Sequence, residues 1–170
     1  DLWNPKCYHN PDRMNGENYY CGSSRILHVN SGVPNHLFTF LVDGGTFHDV
    51  TISGIGRTKA MHLWMRAIEH YHTLTTAFHD HADFLEAACA DLNMSHTNLP
   101  SLTTENLSSD PQPSNQFINQ SDCEQLSQAI SAIGLREASK CVYKSVLDTN
   151  TPQLCQWGNN TISFYDFESN

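Results

Sequence analysis

Basic residues are scarce in this sequence of 170 residues, where 9 Lys and Arg stand against 18 Asp and Glu. No cluster of Lys or Arg could follow a phosphate backbone, so we expect no nucleic-acid partner. No apolar run approaches the roughly 18 residues that a membrane-spanning helix needs. The N-terminus also lacks the layout of a signal peptide. The sequence therefore predicts no membrane span, and a targeting segment that has been removed if the protein is exported.

Several short enzyme motifs are also missing. The chain contains no Gly-x-Ser-x-Gly sequence, which argues against a serine hydrolase of that type. It has no Cys-x-x-Cys pair, which makes a zinc knuckle or a dithiol redox site unexpected. Residues 54–57 (GIGR) lack the glycine spacing of a phosphate-binding loop.

Six cysteines favour three disulfides, because their number is even and none is in a Cys-x-x-Cys pair. They are Cys7, Cys21, Cys89, Cys123, Cys141 and Cys155. We predict the bridges Cys7–Cys21 and Cys141–Cys155, which close short local loops, and Cys89–Cys123, which joins the end of one predicted helix to the start of the next. Cys89 also lies on an apolar stripe, where a buried free thiol is the alternative.

Four Asn-x-Ser/Thr sequons accompany these cysteines. Their acceptor residues are Asn93, Asn106, Asn119 and Asn159. Sequons in loops are glycosylated only in exported proteins, and disulfides persist in oxidising compartments. The sequence therefore predicts a secreted, disulfide-bonded glycoprotein.

Apolar residues recur with a helical period in the first half of the chain. Residues 31–42 predict a short, largely buried helix, and residues 46–54 predict an extended connection. Two longer helices are predicted over residues 57–72 and 78–92, each with one apolar face.

A fourth helix is predicted to begin at Ser121 and to end at Gly134. Ser121 and Glu124 have the spacing of a capping box, in which each side chain bonds to the other residue's backbone N–H. A further helix near Leu147 would make five. The pattern predicts a mainly α protein, a bundle of four to five helices with irregular, disulfide-pinned N- and C-terminal segments.

Polar segments divide the chain into a domain and an extension. Residues 93–120 are rich in Ser, Thr, Asn and Pro and predict a solvated insertion. We predict one helical domain over residues 1–140 that includes this insertion, and a C-terminal extension over residues 141–170.

Residues 27–35 (LHVNSGVPN) resemble a signature of the thermolysin-like zinc metallopeptidases. The resemblance continues through residues 38–45 (FTFLVDGG), residues 54–60 (GIGRTKA) and a helix that ends at residues 90–92 (ADL), at the spacings of that family. It covers about the first 140 residues. It implies the fold of the helical C-terminal domain of these enzymes.

The resemblance also implies a catalytic role for His28. In the family, the corresponding histidine lies across the cleft from zinc and donates a hydrogen bond to the oxyanion of the tetrahedral intermediate. The family places an Asp upstream that orients the imidazole, and Ser23 stands at that position as a possible orienter. Arg25 and Ile26 replace a glycine pair. We expect Asn30 and Ser31 to cap the following helix rather than to contact substrate.

The zinc-binding His-Glu-x-x-His motif is absent from the sequence. The resemblance therefore implies that zinc is bound by an N-terminal domain outside this chain, and we expect this chain alone to bind no metal. His79 and Asp83 have helical i, i+4 spacing and could form a metal pair, but Asp is also favoured at a helix start without a metal.

Two functions fit these patterns. The chain could be the C-terminal domain of a secreted zinc endopeptidase, whose partners would be the N-terminal zinc domain of the same precursor and a peptide substrate. Alternatively, it could be a non-catalytic secreted glycoprotein module that binds another extracellular protein. The loss of the family Asp at Ser23 favours the second function, whereas the His28 signature favours the first.

Overall fold

Four α-helices form the core of the structure, a computed structural model that describes residues 5–22, 28–102 and 112–141. They are α1 Gly32–Asp43, α2 Arg57–His70, α3 Phe78–Ser95 and α4 Gln120–Ile133. Two antiparallel hairpins connect them: β1 Gly45–Phe47 pairs with β2 Val50–Ile52, and β3 Leu99–Pro100 pairs with β4 Pro113–Gln116. The predicted mainly α fold is confirmed.

Helix α1 is largely buried. Its side chains Val33, Leu37, Phe40 and Leu41 are at most 1% exposed. Helix α1 starts at Gly32, where an added Cβ would lie only 2.5 Å from the Pro11 carbonyl oxygen. Glycine is therefore needed where the N-terminal segment crosses the start of α1, and this contact fixes the turn before the helix.

Helices α2, α3 and α4 complete one core. Helix α3 packs against α2 and α4, and α4 also packs against α1. One face of α4 is buried, with Leu126, Ala129, Ile130 and Ile133 at most 1% exposed. The stripe predicted for α2 is wider than its buried face, because Ile68 is 48% exposed.

The start of α4 differs from the prediction. The N-cap is Asn119 rather than Ser121: Asn119 Oδ1 accepts from the Asp122 N–H at 3.0 Å, and Asp122 Oδ2 accepts from the Asn119 N–H at 2.9 Å. Lys59 of α2 also donates to both carboxylate oxygens of Asp122, at 2.9 and 2.8 Å. The capping box therefore joins Asn119 and Asp122, three residues apart, and the N-cap lies two residues earlier than predicted. The Gly134 C-cap was correctly predicted and is left-handed, with φ 69°.

Two disulfides lie within the described residues. Cys89–Cys123 joins α3 to α4 as predicted. The predicted pairs Cys7–Cys21 and Cys141–Cys155 are wrong, because Cys21 is bonded to Cys141 over a separation of 120 residues. The N-terminal segment lies beside the end of α4, and this contact brings the two cysteines together. Cys7 is an exposed free thiol among the described residues.

The N-terminal segment binds the end of α4 through several hydrogen bonds. The Met14 N–H donates to the Ile133 carbonyl at 2.9 Å, and Asn15 Nδ2 donates to the Ala138 carbonyl at 2.8 Å. These bonds connect residues more than a hundred positions apart, which local sequence patterns do not show. They bring Cys21 close enough to Cys141 to form the disulfide.

Several predicted features fall outside the described residues. They include Asn106 in the insertion, Asn159, Cys155 and the extension from residue 142 onwards. The described ends of the insertion form the β3–β4 hairpin rather than only solvated loop. No helix in the described ranges is long and apolar enough to cross a membrane.

Candidate functional site

His28 lies exposed at the surface, at the turn that leads into α1. It precedes the 3-10 helix Val29–Ser31 and has helical backbone angles, φ −72° and ψ −19°. Its carbonyl oxygen accepts hydrogen bonds from the Ser31 N–H at 3.2 Å and from Ser31 Oγ at 2.5 Å. Two hydrogen bonds on one carbonyl hold residues 28–31 as a tight turn, while the imidazole remains accessible.

The expected helix-capping role of Asn30 and Ser31 is wrong. Ser31 occupies the N-cap position of α1 without a side-chain cap, because its hydroxyl bonds to His28 instead. The half-buried Asn30 side chain bonds to the backbone of Tyr20: Oδ1 accepts from the N–H at 2.9 Å, and Nδ2 donates to the carbonyl at 2.8 Å. No local sequence signal indicates this contact, because the two residues are ten positions apart.

A buried histidine supports the first turns of α1. His36 is 5% exposed, and its Nδ1 lies 2.7 Å from the Asp12 carbonyl oxygen. The ring packs edge-on against Phe47, with 4.6 Å between ring centroids. Lys6 Nζ lies 3.2 Å from Asp12 Oδ2 and compensates part of the charge of this buried carboxylate. His36 therefore fastens α1 to the N-terminal segment and is enclosed by structural contacts, unlike His28.

Ser23, the predicted orienter of His28, lies outside the described residues. Among the described residues, the His28 backbone is held through the residues that follow it in the chain. The anchors are the Ser31 bonds to the His28 carbonyl and the Asn30 bonds to Tyr20.

The His79 and Asp83 side chains have different neighbours and do not form a metal pair with one another. His79 Nε2 lies 3.2 Å from Asp80 Oδ1, and Asp83 accepts from Arg136 at 2.8 Å. In residues 5–22, 28–102 and 112–141, no group of three or more His, Cys, Asp or Glu side chains could hold a metal ion.

Two histidine rings, His72 and His81, contact each other between α2 and α3. His72 Nε2 is 2.8 Å from His81 Nδ1, and the His81 ring packs edge-on against Trp64. Burial, together with the charge of the neighbouring His72, lowers the pKa of His81 from 6.5 to about 4. His81 therefore remains neutral at physiological pH, and its role is structural.

An ion-pair network joins the C-terminal end of α2 to α3. The Tyr71 hydroxyl donates to Asp91 Oδ2 at 2.6 Å, and Arg66 donates to the same oxygen at 2.9 Å. The hydrogen bond to this carboxylate raises the pKa of Tyr71, and it lowers the pKa of Asp91, with Arg66 acting in the same direction. These contacts hold the end of α2 against α3.

Known proteins resemble part of the chain. A family model described as the alpha-helical domain of thermolysin metallopeptidase matches residues 1–104. Bacillolysin of Bacillus cereus is 37% identical over 90 residues, which are 52% of this chain and 16% of that protein. Bacillolysin of Brevibacillus brevis is 36% identical over 74 residues, 42% of this chain and 14% of the relative. Thermolysin of Alicyclobacillus acidocaldarius subsp. acidocaldarius is 33% identical over 85 residues, 50% of this chain and 15% of the relative.

Proposed function

Because this chain belongs to the thermolysin metallopeptidase family, as its alpha-helical domain, we propose that it forms one wall of the substrate cleft of a zinc endopeptidase. In this proposal His28 acts on the substrate from that wall. The observation that carries it is the exposure of His28 on a turn held by hydrogen bonds, at the start of a buried helix. A rigid support and an accessible imidazole are what a group that contacts a transition state requires.

His28 would stabilise the charge that develops during peptide hydrolysis. One of its ring N–H groups would donate a hydrogen bond to the oxyanion of the tetrahedral intermediate. A preorganised donor of this kind contributes about 3 kcal/mol, or 10² to 10³ in rate. The bond exists mainly in the transition state, so it should affect kcat more than KM.

Zinc in the complete enzyme would polarise the scissile carbonyl and activate water. The described residues offer no set of three ligands for it, so its site does not fit this part of the chain. In the proposal the zinc is held by an N-terminal domain of the same precursor. The substrates would be peptides with apolar side chains beside the cleaved bond, as in the resembling family.

Secretion is also part of the proposal. Two disulfides are formed within the described residues, and such bonds persist in oxidising compartments. The sequons at Asn93 and Asn119 lie on described residues that are at least partly accessible, which agrees with glycosylation.

Kinetics of His28→Ala would test the catalytic role. The variant should be made in the longest natural form of the protein that contains this chain, and assayed with internally quenched peptides. We expect kcat to fall by about 10² to 10³ with KM nearly unchanged. His79→Ala is the matched control, because the His79 side chain is 65% exposed and bonds only on the surface of α3.

Unchanged turnover in His28→Ala would contradict the catalytic role. If the natural protein also fails to cleave any peptide, the alternative function as a non-catalytic binding or assembly module would replace it. Elemental analysis of the chelator-washed 170-residue chain is the second test. One tightly bound zinc per chain would show that the metal site had been assigned to the wrong domain.

A further inference from the structure

We propose that Asn30 is the positioning residue of His28, and that the Cys21–Cys141 disulfide fixes the anchor to which Asn30 is bound. This inference rests on the proposed function, because a position matters only if His28 acts on substrate. It adds two features to that function: a side chain that sets the imidazole position, and a covalent bond that transmits the position of the end of α4 to it.

The chemistry of Asn30 suits this role. Its carboxamide accepts from the Tyr20 N–H at 2.9 Å and donates to the Tyr20 carbonyl at 2.8 Å, so one side chain satisfies both backbone groups of one residue. Only an amide side chain offers a donor and an acceptor in this arrangement. An Asp at the same place would have no donor for the Tyr20 carbonyl and would set two acceptors against each other.

The Tyr20 anchor is itself held in place. Tyr20 directly precedes Cys21, which is bonded to Cys141, and Cys141 Sγ lies 3.7 Å from the Tyr20 carbonyl oxygen. Just before Cys141, the Lys140 N–H donates to Asn15 Oδ1 at 2.7 Å. A continuous set of bonds therefore runs from the segment after α4 to Tyr20 and on to Asn30.

Asn30 passes this restraint to His28 within two residues. The Val29–Ser31 turn is closed by the two Ser31 bonds to the His28 carbonyl, so a shift of Asn30 moves the His28 backbone with it. The imidazole position therefore depends on how this backbone turn is anchored.

The first experiment measures the His28 position in the 170-residue chain. The Cε1–Hε1 resonance of His28 is assigned by its loss in His28→Ala and then compared between Asn30→Asp and the unaltered chain. We expect this resonance to shift and broaden in Asn30→Asp and in the Cys21→Ala/Cys141→Ala double variant, while the His81 resonance stays in place. Asn30→Ala, which removes both bonds without adding charge, is the second variant if Asn30→Asp folds poorly.

The chain offers a matched control for the amide substitution. Asn98 also pairs through its carboxamide with one residue, accepting from the Asn115 N–H at 3.0 Å and donating to Asn115 Oδ1 at 3.3 Å. Asn98→Asp should leave the His28 resonance unchanged. A His28 resonance that is identical in the unaltered chain and in the folded Asn30 variants would overturn the proposal, as would an equal shift in Asn98→Asp.

The second experiment uses the longest natural form of the protein and a quenched peptide. Misplacement of a reacting group by about 1 Å costs up to 10²-fold in rate, so we expect kcat of Asn30→Asp to fall tenfold or more, with KM within about twofold. An unchanged kcat, in a protein that His28→Ala inactivates, would overturn the proposal. If His28→Ala itself has no effect, the proposed function fails, and the resonance measurement alone decides whether Asn30 positions His28.

Discussion

Protonation of His81 should destabilise the protein in mildly acidic solution. The His81 side chain is 7% exposed, packs edge-on against Trp64 at 5.5 Å between ring centroids, and lies 2.8 Å from His72 Nε2. The buried site has room for one hydrogen bond between two imidazoles but not for two positive charges. Burial, and then the charge of His72, lower the pKa of His81 to about 4 from 6.5.

The sign of the effect follows from proton linkage. Between pH 6.5 and about 4, the unfolded chain binds a proton at His81 that the folded chain does not bind. The free energy of unfolding therefore decreases as the pH falls through this window. The contribution of His81 is complete above pH 6.5 and is lost near pH 4. At about 1.4 kcal/mol per pH unit, the loss is roughly 3 kcal/mol.

The assay is urea denaturation, followed by circular dichroism, at several pH values across this window. His81→Phe removes the titrating group and keeps an aromatic ring beside Trp64. We expect the free energy of unfolding of the variant to fall by roughly 3 kcal/mol less than that of the unaltered chain. His79→Phe, at an exposed position on the same helix, is the control and should keep the full pH dependence.

Carboxylates also titrate in acid, but they do so equally in the variant and in the unaltered chain, so the difference between the two curves isolates His81. Parallel curves for His81→Phe and the unaltered chain would refute the reasoning. That result would mean that His81 takes up its proton without disturbing the packing between α2 and α3.

Three further predictions concern the stability of the helical core, and each is checked by urea denaturation. Lys59→Met should lower the free energy of unfolding by about 3 kcal/mol, because Asp122 remains 7% exposed without its cation. A Lys59→Met/Asp122→Asn variant that is as unstable as Lys59→Met would contradict this explanation. Thr58→Val should raise the free energy of unfolding by about 1 kcal/mol, since the buried Thr58 hydroxyl has no hydrogen-bond partner in the part of the chain that the structure describes; a loss of stability would contradict it. Replacing Cys89 and Cys123 by Ala should cost about 3 to 4 kcal/mol, given the 34-residue separation, and an unchanged denaturation midpoint would count against that bridge.

The comparison of sequence and structure separates local from distant interactions. The helices α1, α2 and α3 start within a residue of their predicted positions, because each apolar face repeats every three or four residues along the chain. The Gly134 cap was predictable for the same reason, since a left-handed C-cap depends only on the residue at that position. The Cys89–Cys123 pair was also accessible from sequence, because both cysteines lie at the facing ends of two predicted helices.

The candidate site was predicted only in part. The sequence signature singled out His28, which lies within the residues that the family model matches, and its catalytic role stays a prediction. The sequence did not reveal the contact between Asn30 and Tyr20, and it suggested helix capping instead. A carboxamide forms the same bonds with a neighbouring N–H or with a distant one, so its partner depends on which segment lies beside it.

By itself, the sequence determined the helices, their apolar faces and the family, since these depend on the order of residues over short stretches. The tertiary structure decided which residues that are distant in the sequence contact one another. Cys21 bonds to Cys141 over 120 residues, and Lys59 of α2 bonds to Asp122 in the first turn of α4. His81 acquires its low pKa only where α2 and α3 enclose it. Each of these depends on the packing of distant segments, because burial and proximity arise only when the chain is folded.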